Sequence, residues 1–534
     1  MANVKISQLP LATSPLDSTV EMPVVQGGVT KRAGMTTIGF LQSGTGAVLR
    51  TAQNKMRDTV SVKDFGATGD GTTNDRAAIQ AAIDAVGAAG GGIVYVPPGD
   101  YILNSGLAWT ASDVNLVGAG MGATRLICTF ASGDIVTIGN GIANPNNCSV
   151  SDLSITSNVV KVGGAALVMR NAYNCRFLRF RLEANMYEGV VVDGGSGQFI
   201  NYIDDFIIDS GLHGIVLSRD GTLPQDVFIQ NGVIANCTGS GLFMKHCSGV
   251  YCTYLDLLTC QRGVYTLPSV GQRVVAVFMD GVIGDTCVEN GFDITTNGGL
   301  VADWIMSNCW GASNGQTTGQ NGLRIAAGAG TVSGINISNS LFFNNGGDGI
   351  LLLSCSDIHL SNVSCHVNSK TVPGNKHGLE VAAGVSQWSV TNGNFGTAGL
   401  FSTNDQGYGI FIAAGASDNY QIIGTNCIGN VTGAILDGGS GTTKYISYNT
   451  GYRTSNSGAA QIAIGASNVT INHGLAATPA QTDIQTVPTV DINTGGVARW
   501  WVDNVGSTTF RINVNTAVVG ANLFFAWSAR TKGA

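Results

Sequence analysis

The sequence predicts an all-β protein built around a single-stranded parallel β-helix, and three observations carry that reading. A glycine followed by an apolar-x-apolar triplet recurs at Gly164, Gly189, Gly214, Gly241, Gly263, Gly291, Gly322, Gly349, Gly378, Gly409 and Gly433. The mean spacing is (433 − 164)/10, about 27 residues, the length of one supersecondary unit. Glycine supplies 75 of the 534 residues while charged residues supply 11%, where roughly 25% is ordinary. Third, only one stretch of the chain has a convincing helical period. Disorder requires low hydrophobicity with high net charge, a coiled coil abundant Glu, Lys and Arg, and collagen a strict glycine at every third position. The composition meets none of these conditions.

The elements follow in chain order. Residues 1–58 are short apolar stretches broken by Pro, Gly, Ser and Thr, and Val24 to Thr30 reads as a strand, a glycine turn and a second strand. Residues 59–105 hold the helix. Asn74 or Asp75 caps it, and Ile79, Ala82, Ile83 and Val86 recur at i, i+3, i+4 and i+7. Gly90-Gly91-Gly92 ends it, and Ile93-Val94-Tyr95-Val96 is a strand stopped by Pro97-Pro98-Gly99. Residues 106–454 carry the repeat, and residues 455–534 drop it for alternating segments such as Val469 to His473 and Thr509 to Val514. Alternation of that kind predicts half-buried antiparallel strands in a small β-sandwich.

Within the repeat, the first and third triplet positions are almost uniformly apolar, as in Val190/Val192, Ile215/Leu217 and Ile350/Leu352. The second is mixed: Val191, Val216, Phe243, Tyr265, Asp293, Arg324, Leu351, Glu380, Phe411 and Ile435. Period-two alternation puts the first and third positions on a core and the second outside. So short a strand buries nothing alone, and stacking on its neighbours makes a continuous core. Eleven repeats at ~4.8 Å per step give a rod roughly 50 Å long. The glycine is expected at φ > 0, where the chain enters the strand from a tight corner. The polar residues before it, from Glu188 and His213 to His377 and Tyr408, are expected to stack along one edge.

Lys plus Arg is 27 and Asp plus Glu is 34, a formal charge of −7, which argues against binding a nucleic-acid backbone. The first residues hold no apolar secretory core and no apolar run is long enough to span a membrane. The 12 cysteines show no paired zinc spacing and read as buried thiols. The six histidines are dispersed. No metal site and no cofactor is expected.

Val60-Ser61-Val62-Lys63-Asp64-Phe65-Gly66-Ala67-Thr68-Gly69-Asp70-Gly71-Thr72-Thr73-Asn74-Asp75 resembles the opening segment of the pectate-lyase-like β-helices of bacteriophage tailspikes. The Ala/Ile-rich helix, the glycine run and the Val-Pro-Pro-Gly-x-Tyr strand end follow as in that family. Ile6-Ser7-Gln8-Leu9-Pro10 with Pro23 to Lys31 is similar to the head segment of phage tail fibres and spikes. His473-Gly474-Leu475 with Thr478-Pro479 and Phe524 to Trp527 is similar to small terminal sandwiches of tail proteins. The resemblance implies a right-handed, pectate-lyase-like parallel β-helix in a homotrimer. It also implies a head at 1–58 fixed to a phage tail, baseplate or collar protein. Such a protein is made in the bacterial cytoplasm, carried on the virion, and touches a bacterial surface polysaccharide. Some relatives cleave that glycan and some only bind it.

Cleavage on a β-helix needs carboxylates on an exposed face, as acid and base or nucleophile in a hydrolase, or as base beside a cation in a lyase. The densest acidic region gives Glu188, Asp205, Asp209 and His213 as catalytic candidates, with Glu188 and His213 at one corner of adjacent coils. A solvated corner ladder reads the same residues without chemistry. Asp293, Arg324 and Glu380 lie on the outward stripe and are candidates for substrate binding, or for a surface ion pair. Trp304 and Trp310 are candidates for stacking on sugar rings, or for packing. The outward Val191, Val216, Phe243 and Tyr265 would be an exposed apolar patch on a monomer and are read as part of a trimer interface.

Overall fold

A computed structural model describes residues 22–33, 38–195, 200–397 and 405–531. The segment Ile6 to Pro10 lies outside the described residues. Met22–Gln26 pairs antiparallel with Val29–Ala33 across Gly27 and Gly28. Both glycines are left-handed, at φ 62° and 77°, as a two-residue hairpin turn requires.

The helix is Arg76–Ala88, and Ile79, Ala82, Ile83 and Val86 are its buried residues. Asp75 stands at the N-cap but makes no capping bond. Its carboxylate accepts instead from Thr68 N at 2.7 Å and Gly69 N at 3.1 Å, fastening the loop that precedes the first coil. The helix covers the open end of the solenoid, where an unpaired sheet edge would otherwise meet water.

The body is a parallel β-solenoid of about 14 turns. One sheet stacks 13 short strands from Leu107–Trp109 to Gly433–Gly439. A second stacks 21 mostly longer strands. The short-strand sheet is the ladder of triplets, and its register runs Val191, Val216, Phe243, Tyr265, Asp293, Arg324, Leu351, Glu380, Phe411. The last step slips by one: Phe411 pairs with Leu436, so Ile435 is buried and Ala434 takes the glycine place. Burying isoleucine in place of alanine favours that register.

The glycines do a different job from the one expected. Of the eleven, only Gly164 has a left-handed φ. The others are needed because coils approach closely. A Cβ on Gly263 would lie 2.3 Å from the carbonyl oxygen of Gly291, and one on Gly189 would lie 2.4 Å from that of Gly214. The left-handed corners fall on the long-strand sheet, at Asp152, Arg179, Asp205, Asn231 and Tyr254, stacked in register.

Five positions on the edge before the glycines form directional rungs. His213 Nδ1 accepts from Ser240 N, Asn290 Oδ1 from Asn321 N, Asn321 Oδ1 from Asp348 N, Asp348 Oδ1 from His377 N, and His377 Nδ1 from Tyr408 N, at 2.6 to 3.1 Å. All twelve cysteines are buried free thiols. The chain ends in two antiparallel three-stranded sheets. One is Ser455–Ile462, Leu523–Arg530 and Ile484–Pro488; the other is Asn468–Asn472, Thr509–Val514 and Trp500–Asp503. Phe510, Ile512, Leu523 and Phe525 form the core between them.

Candidate functional site

The outward side of the short-strand sheet carries charged and aromatic side chains over most of its length, with Leu351 between Arg324 and Glu380. The run begins at Asp134. The Arg219 guanidinium binds this carboxylate through both nitrogens, at 2.9 and 3.1 Å, and Glu188 Oε2 at 3.1 Å. Arg170 adds a contact to Asp134 at 2.8 Å and lies 3.6 Å from Asp193. The Arg219–Asp134 bridge spans three strand steps, with Val168 and Val191 on the strands between. Val168, Val191 and Val216 are buried in a small cluster with Ala165, and Phe243 packs against it. The valines read as an exposed trimer surface are therefore interior to a single chain.

Asp193 Oδ1 accepts from the backbone N–H groups of Arg219 and Asp220, while its Oδ2 is buried without a hydrogen bond. The three carboxyls differ in their environments. Burial pushes Asp193 up to about 6, with help from the charge of Asp220. Burial also raises Glu188 against the opposing pull of Arg219. At Asp134 burial is outweighed by the Arg219 hydrogen bond, the Ala165 N–H and the nearby guanidinium charges, so its carboxyl stays below the usual range. Neighbouring acids pushed in opposite directions are the pattern expected where one holds a proton and another stays ionised.

The run continues through rings. His213 lies 4.7 Å from Phe243, which stacks on Tyr265 at 5.2 Å, and the Arg262 guanidinium covers Tyr265 at 4.6 Å. Arg262 also binds Glu289 and reaches Asp293 at 3.1 Å. Asp293 Oδ1 accepts from Arg324 at 2.8 Å. Two coils on, Lys376 lies between buried Asp348 at 3.2 Å and Glu380 at 3.0 Å. Burial and the charge of Glu380 raise the Asp348 carboxyl. His377 and Phe411 close the run, stacked at 4.4 Å.

The structure distributes the sequence-derived candidates unevenly. Glu188 and His213 are paired in register, as the corner reading expects. His213 is a poor base: burial, then the charges of Arg262 and Lys245, lower it to about 4, and its Nδ1 already accepts from Ser240. Asp205 and Asp209 do not join them. They lie on the long strand Asn201–Gly211, Asp205 at a left-handed corner and Asp209 accepting from Asn236 Nδ2 at 2.8 Å. Asp293, Arg324 and Glu380 share the outward ladder of the short-strand sheet. Trp304 is fully buried in the core, its Nε1 donating to Val274 O, so it offers no face to a sugar. Trp310 is 36% exposed but sits on the other sheet, stacked on Phe343 at 5.4 Å.

Sequence reasoning missed Asp134, Arg170, Asp193 and Arg219 as a group. The signal was present: extending the outward parity two residues past Val168 and Val191 reaches Arg170 and Asp193, which pair in register. No cluster of metal-ligating side chains occurs among the described residues. No helix among them is long and apolar enough to cross a membrane.

Residues 59–265 match the family described as rhamnogalacturonase A/epimerase, pectate lyase-like, and this span includes the Asp134–Arg219 cluster. Mannuronan C5-epimerase AlgE5 of Azotobacter vinelandii is 29% identical over 316 residues, 57% of this chain and 26% of the relative. The chain thus spans about a quarter of the length of that curated relative. Among solved structures, a double mutant of the tailspike of E. coli bacteriophage HK620, in complex with a pentasaccharide, superposes with a TM-score of 0.57. It is 13% identical, and the match covers 93% of this chain and 98% of that one. Tailspike protein 3 of bacteriophage CBA120 gives a TM-score of 0.51 at 15% identity, over 79% of this chain and 69% of that one. The resemblance read from the opening segment therefore holds at the level of the fold, a parallel β-solenoid with tailspikes among its structural neighbours.

Proposed function

We propose that this chain is a phage tailspike or tail fibre that holds a bacterial surface polysaccharide along the outward face of the short-strand sheet. The observation that carries the reading is the succession of charged and aromatic groups from Asp134 to Phe411, interrupted at Leu351. Its guanidiniums, carboxylates and ring edges follow the solenoid axis, the direction in which an extended glycan must lie to meet them all. The match to a pectate-lyase-like family over residues 59–265 supports a sugar ligand. The tailspike fold likeness and the head-like first segment support a homotrimer carried on the virion and fixed to a tail, baseplate or collar protein through residues 1–58. Val191 and Val216, being interior, leave sister chains to pack on another face, where Phe278 and Ile305 are exposed.

A second reading, favoured by the divergent environments of Asp134 and Asp193, is that the protein also modifies the glycan. Asp193 then supplies or takes a proton while Arg219 and ionised Asp134 steady developing charge. Hydrolysis, β-elimination and epimerisation all need such a group. Incubation of the full-length protein with host capsule or lipopolysaccharide tests both readings. Retention of polymer with no change in size or absorbance supports binding alone. A fall in size selects cleavage, and new absorbance from an unsaturated sugar selects a lyase. Absence of any retention would overturn the proposal and leave a structural fibre of the virion. A monomeric mass in solution would remove the trimer.

A further inference from the structure

The charged groups of the solenoid face answer one another within the chain. Arg219 directs both terminal nitrogens at Asp134 and Glu188, and Arg170 lies between Asp134 and Asp193. Farther along, Asp293 is a buried hub, 4% exposed. Its Oδ2 accepts from Arg262 Nε at 3.1 Å and Asn290 Nδ2 at 3.2 Å, and its Oδ1 from Arg324 Nη1 at 2.8 Å. Arg262 also pairs with Glu289, and Lys376 with both Asp348 and Glu380. Among the described cations of this face, Lys245 alone has no carboxylate partner, its Nζ meeting Arg219 O at 3.5 Å.

That arrangement differs from a seat for a polyanion. A guanidinium takes an incoming carboxylate, sulfate or phosphate through a two-point face of parallel N–H donors. At Arg219 and Arg262 those donors already point at carboxylates of the same chain. An acidic sugar arriving there would bring a third anion to one cation. Negative charge is in excess as well: Asp220 helps to raise the Asp193 carboxyl, and Glu380 helps to raise that of Asp348. Like charge brought to such a place weakens binding, which is how a surface turns away a wrong partner. A hydroxyl meets no such penalty. It donates to a carboxylate oxygen and accepts from an outward N–H, so it can use both members of an ion pair. Phe243, Tyr265 and Phe411, on the same outward ladder, add apolar surface for the C–H side of a sugar ring.

We infer that the solenoid face selects an uncharged, hydroxyl-rich glycan and turns away polymers that carry carboxylates, sulfates or phosphates. The place of the glycan rests on the proposed function; its chemical class rests on the charge pairing. Asp293 and Glu289 are then specificity-determining residues, because they occupy the guanidiniums that an acidic glycan would need.

The test uses the full-length protein and the polymers it retains from a panel of bacterial capsular and O-side-chain polysaccharides freed of lipid. Each retained polymer is compared with itself at another charge. An uncharged polymer is oxidised at its primary hydroxyls to carboxylates, and an acidic one is reduced at its carboxylates to hydroxyls. The uncharged form should be held about tenfold more tightly in either direction. Asp293→Asn removes the charge that holds Arg262 and Arg324. Glu289→Gln, at a half-buried position, makes the same test at Arg262 if the buried change unfolds its coil. Either variant, with circular dichroism as in the natural chain, should narrow the preference about threefold through stronger retention of the charged form. A charged form held as tightly as the uncharged one, or more tightly, overturns the inference and leaves the face as a glycan site. A preference untouched by both variants overturns it too, because the discrimination then lies elsewhere. No retention of any polymer overturns it together with the proposed function.

Discussion

Replacing Asp193 by asparagine should stabilise the coils around it at neutral pH while removing the proton it holds. The folded carboxyl titrates at about 6, against an ordinary value of about 3.9. The folded state therefore binds the proton more tightly than the unfolded chain. Its contribution is most favourable below about pH 4 and is lost as pH rises through about 6. About two pH units at about 1.4 kcal/mol each gives a cost of roughly 3 kcal/mol above pH 6. Asparagine keeps the oxygen that accepts from Arg219 N and Asp220 N. It gives up the weak attraction to Arg170 at 3.6 Å, which reduces the expected gain to about 1–2 kcal/mol. Amide hydrogen exchange of Glu188–Asp193 and its neighbouring strands reads the local free energy in a repeat architecture whose coils open separately. The difference between natural and substituted chains should be near zero at pH 4, grow to pH 6.5 and level off above it. An asparagine variant that is less stable at pH 8, or a difference independent of pH, would show that the Asp193 carboxyl is not raised by its burial. If the glycan is modified, the same variant should retain it and lose turnover.

Four further outcomes follow from the geometry. Arg219→Ala leaves Asp134 and Glu188 with one guanidinium fewer and should cost about 2–4 kcal/mol in denaturant unfolding, partly recovered by adding Glu188→Gln. Gly263→Ala sets a methyl 2.3 Å from Gly291 O and should cost at least about 2 kcal/mol, whereas Gly241→Ala, at 3.0 Å from Gly263 O, should cost less; melting of both variants checks the order. Trp304→Ala empties a core position and should cost about 3–5 kcal/mol, while Trp310→Ala should cost under about 1 kcal/mol in the same assay. His213 and His377, each lowered to about 4 chiefly by burial, should remain neutral in imidazole NMR at pH 5.5. Because those folded values lie below the ordinary one, the stability they contribute is present above about pH 6.5 and lost as pH falls towards 4.

The ladder of coils was legible because one feature, apolar-x-apolar after glycine, keeps register over the nine coils from Gly189 to Gly409, with Ala166 and Ala434 in the glycine place at either end. That pattern alone places Val191 over Val216 and Asp293 over Arg324, as found. The reason for the glycine was not legible. A positive φ and a close carbonyl both demand glycine, and only inter-coil distances separate them. The burial of Val191 was hidden for a related cause. Its parity is outward, but a bridge from Arg219 to Asp134, 85 residues away in sequence, crosses that part of the face. Asp205 misled because local density of acids says nothing about which of two sheets each acid occupies. Trp304 misled because its strand turns it inward beside Val274.

The edge ladder from His213 to Tyr408 also bears on how such a rod is made. Each acceptor belongs to an earlier coil and each donor to the one after it. A chain leaving the ribosome therefore presents the coils that carry His213, Asn290, Asn321, Asp348 and His377 with a vacant side-chain acceptor before the matching N–H has been synthesised. Growth has a built-in direction: the newest coil is templated by the last one, and the capping helix Arg76–Ala88 emerges first to seal the starting end. Under this scheme a pause in synthesis leaves a shorter but orderly rod with one polar rung waiting. A lesion early in the ladder is carried into every coil laid down after it.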